Sequence, residues 1–194
     1  YMVDKTLSKV CDGKTPSEIL DISVADIACG SGIFLEEAFA YLQDYCVQWY
    51  ICNGQTDHLI ETGIDLYKLP LQEKKDILCS CIYGIDIDIH AVEVAKFSLL
   101  IKLIEDETAP SVSEVVPILP DLGDNIQFGN SLVSQTELNG ISGANHQMME
   151  IAPFDWSTIN NGCGFDVIIG NPPYVNTEGM HALLPSAEVE IYKK

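Results

Sequence analysis

The stretch 165–175, Phe-Asp-Val-Ile-Ile-Gly-Asn-Pro-Pro-Tyr-Val, constrains this chain more than any other. Its apolar run Val167-Ile168-Ile169 has the character of a strand buried on both faces, which belongs to a parallel sheet. Gly170 and the two prolines end it abruptly, because proline lacks the ladder N–H and restricts the residue before it. What remains is a rigid polar loop at a strand's C-terminal end, carrying Asn171 and Tyr174. In open α/β sheets ligands bind at that edge.

Three further strands with loops of their own are predicted upstream. Val24–Ala28 runs into the small-residue loop Cys29-Gly30-Ser31-Gly32. A long helical stripe follows, with Phe34, Leu35, Ala38, Phe39, Leu42, Cys46 and Trp49 on one side and Asn53-Gly54 as its stop. Residues 71–81, with Pro70 near the start, predict a second helix. Cys81–Asp88 then alternates into a strand ending on carboxylates, and residues 90–104 form another amphipathic helix. Asp124–Phe128 is a weaker strand leading into Gly129-Asn130-Ser131-Leu132. Near the start, Met2, Val3, Leu7 and Val10 predict a helix and Ser17–Leu20 a short turn. Residues 54–70 read as polar and irregular, 105–120 as an acidic connector, and 134–153 as a surface excursion. Strand and helix alternate throughout, so the class is α/β with a parallel sheet.

Composition narrows the function. The 194 residues are 47% apolar, enough for one full core. No run reaches the ~18 apolar residues of a membrane span, and no basic-then-apolar leader opens the sequence. The seven cysteines are odd in number and scattered, without metal-ligand spacing, which argues against a disulfide framework or a metal site and for a reducing cytoplasm. The net charge is −19, and every one of the ten basic residues is a lysine. Such a surface repels a nucleic-acid backbone, so any nucleic-acid function must place most phosphate contacts outside these residues.

The order strand, glycine loop, helix brings backbone N–H groups and a helix N-terminus up to a small ligand. A dinucleotide fingerprint needs a third glycine where Leu35 stands, which argues against nicotinamide binding. An acid at the tip of the second strand of a βαβ unit is the expected holder of ribose hydroxyls. Asp86 is the candidate for the sugar, and Asp88 suits a helix N-cap.

The four loops Asp26-Ile-Ala-Cys-Gly-Ser-Gly, Gly84-Ile-Asp-Ile-Asp, Gly129-Asn-Ser-Leu and Asn171-Pro-Pro-Tyr, in this order, resemble the S-adenosylmethionine-dependent N6-adenine DNA methyltransferases of bacterial restriction–modification systems. The bifunctional type II enzymes, with methylase and nuclease in one polypeptide, are the nearest likeness. The resemblance implies a Rossmann-like class I methyltransferase fold, here with an incomplete parallel sheet and flanking helices. It divides the chain into an N-terminal helical segment (1–23), a partial cofactor-binding and catalytic core (24–176) and a C-terminal tail (177–194). It places Asp26, Ala28, Cys29, Gly30, Ser31 and Gly32 around the methionine part of S-adenosyl-L-methionine. Asp86 takes the ribose hydroxyls and Ile87 packs on the cofactor adenine. Asn130 stands where the family often has Asp bonding the adenine amino group; Ser131 replaces a common Phe and so removes a stacking wall. Asn171, Pro172, Pro173 and Tyr174 face the target base, with Asn171 also bordering the cofactor.

The resemblance further implies double-stranded DNA as the partner, read by a domain C-terminal to this core. The expectation is therefore a fragment, whose strand 165–170 lacks a neighbour on one side and invites association there. Two alternatives share the loops: a methyltransferase acting on a protein glutamine or an RNA base, and a module that binds cofactor without transferring methyl.

Overall fold

The computed structural model describes residues 1–108, 115–139, 147–172 and 184–192. The elements are α1 (Met2–Cys11), α2 (Pro16–Ile19), β1 (Val24–Asp26), α3 (Ile33–Cys52), β2 (Ile60–Gly63), β3 (Leu66–Lys68), α4 (Leu71–Cys81), β4 (Ile82–Asp86), α5 (Ile89–Ile104), β5 (Ile126–Phe128), α6 (Gln135–Asn139), α7 (Met148–Ile151), β6 (Val167–Ile168) and α8 (Ser186–Tyr192). All four expected strands form and join one parallel sheet in the order β5-β4-β1-β6. The fold is α/β, a parallel sheet flanked by helices.

The helices form where their apolar spacing predicts. On α3 the buried positions are Leu35, Ala38, Phe39, Leu42 and Cys46, and on α5 they are Val92, Ala95, Leu99 and Leu103. Steps of three and four keep each set on one side of its helix. With Val3 and Leu7 of α1 and Ile77 and Leu78 of α4, they close over one face of the sheet, where Val24, Ile82, Ile126 and Val167 meet them. Fully burying a side chain such as Phe39 or Leu42 contributes about 1.5–3 kcal/mol. Period-two alternation sends Ala25, Tyr83 and Ile85 to the other face, under Phe154 and Ile159.

Two long-range polar contacts set strand placement. The backbone N–H and hydroxyl of Ser23 both donate to Asp166 Oδ2, at 2.8 and 2.9 Å, and so pin the start of β6 beside β1. The side-chain amide of the buried Asn125 donates to the carbonyls of Cys79 and Ile82 at 2.8 and 2.9 Å, seating β5 against β4.

The structure corrects the reading of two segments. Residues 54–70 are not irregular, because β2 and β3 pair there as an antiparallel hairpin. The excursion 134–153 is not wholly surface: Val133, Leu138 and Ile151 form a small separate core with Ala187 and Ile191 of α8. Among the described residues β6 pairs with β1 and forms one edge of the sheet, and Ile168 is 60% exposed. None of the described helices is long and apolar enough to cross a membrane.

Candidate active site

Strand order dictates where a ligand would sit. The chain runs from β1 to β4 and on to β5, then returns to the other side of β1 as β6. The order reverses at β1, and in an open parallel sheet the crevice outside the strand C-termini at that point is the binding position. Asp26 ends β1 and Gly170–Asn171 follow β6, so the first and last loops flank the reversal.

These two loops touch. A Cβ placed on Gly170 would lie 2.5 Å from Asp26 Oδ1, so only glycine lets the main chain pass this close. Asp26 is 1% exposed, and its Oδ1 accepts from the Ala28 N–H at 3.0 Å. Burial pushes its pKa up, the Ala28 N–H draws it down, and the neighbouring Asp86 raises it again. A carboxylate desolvated in this way gains from any cation brought beside it.

The start of the glycine loop is bound to the end of β4. Cys29 N–H donates to the Ile85 carbonyl at 3.0 Å, and Gly30 N–H donates to Asp86 Oδ2 at 2.8 Å. Asp86 Oδ1 accepts from the Asp88 N–H at 2.9 Å, so each carboxylate oxygen keeps a lone pair for a further donor. Asp88 caps α5 through the His90 N–H at 2.9 Å, as expected of a helix N-cap. Ile87 is exposed beside them, an apolar surface at the strand tip. Gly32 starts α3 with φ +89°, and a Cβ there would lie 3.1 Å from that of Ala95, so the glycine lets α3 and α5 approach. Ser31 is exposed, and the Cys29 thiol is buried with its pKa pushed up to about 12.

The loop after β5 closes the other side. The Ser131 hydroxyl donates to the Ile27 carbonyl at 2.7 Å, tying this loop to the one after β1. Sequence reasoning expected only a lost stacking wall there. Asn130 is buried, and its amide meets Glu188 and Tyr192 of α8, partners no sequence signal announced. Asn171 and Pro172 are exposed just after β6; Pro173 and Tyr174 lie outside the described residues. The structure thus brings Asp26, Asp86, Ile87, Ser131 and Asn171 to the strand C-terminal ends, with Asn130 alongside under α8.

Residues 80–194 match the Eco57I restriction-modification methylase family. The chain belongs to that family. It is 43% identical over 193 residues to RM.Eco57I of Escherichia coli, a type II restriction enzyme and methyltransferase; the match covers all of this chain and 18% of that protein. It is also 34% identical over 122 residues to RM.MjaORFECS2P of Methanocaldococcus jannaschii, across 63% of this chain and 9% of that one. The chain thus spans under a fifth of the length of these restriction-modification methylase relatives.

Proposed function

We propose that these residues carry the cofactor and catalytic loops of an S-adenosylmethionine-dependent DNA methyltransferase, acting on the N6 amino group of adenine in restriction and modification. The close approach of Gly170 to the buried Asp26 carboxylate carries this reading, since it brings the main chain leading into Asn171 up to a desolvated acid that suits a cation. Membership of a restriction-modification methylase family supports the same chemistry.

The residues present fit the cofactor. S-adenosylmethionine supplies a methyl group activated on a sulfonium, and its sulfonium and ammonium suit a carboxylate whose pKa burial has raised. Asp26, Ala28 and the backbone of Cys29–Gly32 would flank the methionine part. Asp86 offers its spare lone pairs to the ribose hydroxyls, Ile87 packs on the base, and Asn130 and Ser131 border it.

At the target, the side-chain oxygen of Asn171 and the carbonyl of Pro172 accept the two protons of the adenine amino group. That nitrogen is a poor nucleophile while its lone pair is delocalised into the ring; two fixed acceptors favour a pyramidal nitrogen with the lone pair free. Pro172 and Pro173 hold the acceptors rigid, so little reorganisation is needed during reaction. Tyr174 stacks on a base rotated out of the duplex. Alignment of nitrogen and methyl supplies much of the rate. No covalent intermediate is required, and Cys29 stays a neutral thiol.

Double-stranded DNA is the partner, held mostly by regions beyond this chain because its own charge is −19. The edge at β6 is a second surface for association. In the full-length protein, Asn171→Ala is expected to lower transfer of tritiated methyl to DNA by ~100-fold or more while leaving cofactor affinity nearly unchanged. Near-wild-type transfer would remove Asn171 from the catalytic role.

A further inference from the structure

Glu188 is a carboxyl group only 3% exposed, on the short helix α8, distant in sequence from the loop after β5 that it touches. Its Oε1 lies 2.7 Å from Asn130 Nδ2 and 2.7 Å from the Tyr192 hydroxyl. Asn130 Nδ2 and the Tyr192 hydroxyl both donate to that one oxygen. The Tyr192 oxygen, 3.3 Å from Asn130 Nδ2, then receives the second amide hydrogen. It also lies 3.4 Å from Asn130 Oδ1, but its single proton is already spent on Glu188 at the shorter distance. Asn130 Oδ1 accepts from the Leu132 N–H at 3.1 Å and keeps one lone pair.

This network permits one orientation of the amide. Turned over, Asn130 would set its oxygen against a carboxylate and its NH₂ group against a backbone N–H, acceptor facing acceptor and donor facing donor. Both amide hydrogens are claimed by α8, so the capacity left for a ligand is that of an acceptor.

We propose that Glu188 is a positioning residue, which locks Asn130 as a hydrogen-bond acceptor and so makes the cofactor site select a purine bearing an exocyclic amino group. The proposal rests on the reading of Asn130 as a cofactor contact and adds the group that decides which end of its amide the ligand meets.

The test compares S-adenosylhomocysteine with S-inosylhomocysteine, in which a carbonyl replaces the amino group, by calorimetry on the full-length protein. The wild type is expected to prefer the adenosyl ligand by about tenfold or more. Glu188→Met frees the amide to turn and donate to the carbonyl, so the preference should fall towards unity. Glu188→Gln keeps an acceptor oxygen for Asn130 and should retain the preference. A purely structural Glu188 would weaken both ligands alike, and an unchanged ratio in Glu188→Met overturns the proposal. A wild type that binds neither ligand overturns the cofactor reading itself and this proposal with it.

A second pair of variants guards against misfolding of Glu188→Met. Asn130→Asp sets another carboxylate against Glu188 and should weaken S-adenosylhomocysteine binding about tenfold; adding Glu188→Gln should bring it back to within about threefold of wild type. Failure of that rescue also overturns the proposal.

Discussion

At Asp26, burial raises the carboxyl pKa, the Ala28 N–H offsets part of the rise, and Asp86 adds to it. A carboxyl with a raised folded-state pKa opposes folding when ionised, so its effect on stability improves as pH falls through that pKa. A cationic ligand acts in the opposite sense because it favours the ionised form. Affinity for S-adenosylmethionine is therefore expected to weaken as pH falls from neutrality through the raised pKa of Asp26. Asp26→Asn should flatten that dependence and lower affinity at neutral pH about tenfold; calorimetry from neutrality down through the ordinary carboxylate range checks both. An unchanged pH profile in the variant would place the titrating group elsewhere. At this scale the sequence was partly legible. Asp26, Asp86 and Asp88 stand at strand ends beside loops, where an acid has work to do. Glu188 looks like any acid in a polar helix, because only the packing of α8 buries it against Asn130.

At the scale of elements, α3 and α5 were readable because one side of each is buried and the spacing of apolar residues records it. Their closeness is less readable, and it depends on Gly32. A side chain there would meet Ala95 at 3.1 Å in a backbone conformation that L residues rarely adopt. Gly32→Ala is expected to lower stability by about 1–3 kcal/mol, seen as a reduced urea midpoint, with a loss of cofactor affinity because the glycine loop shifts. The β2–β3 hairpin was invisible for a physical reason. Its pairing satisfies backbone groups but buries little, and the residues along β2 are only intermediate or exposed. Without burial there is no alternation to read. The core joining Val133, Leu138 and Ile151 to α8 was missed because each segment alone is too short for a period to emerge.

At the scale of the molecule, β6 is an edge among the described residues, with Ile168 exposed on one face. Sedimentation of this chain is expected to show concentration-dependent association, which Ile168→Lys should reduce by placing a charge on that edge. A chain that stays monomeric at high concentration would mean the edge is protected in solution. What the sequence by itself determined is the class of fold and the four loops, because strand, turn and helix signals are local and each loop directly follows its strand. Asn171 was identifiable from its own neighbours: an apolar strand that stops at Gly-Asn-Pro-Pro leaves an amide exposed, although the burial expected on both faces of that strand holds on one only, Ile168 being exposed. Which loops meet was decided only by the tertiary structure, since strand order depends on pairings between distant residues such as Ser23 and Asp166. Placing β6 beside β1 brought the main chain just before Asn171 up against the buried carboxylate of Asp26.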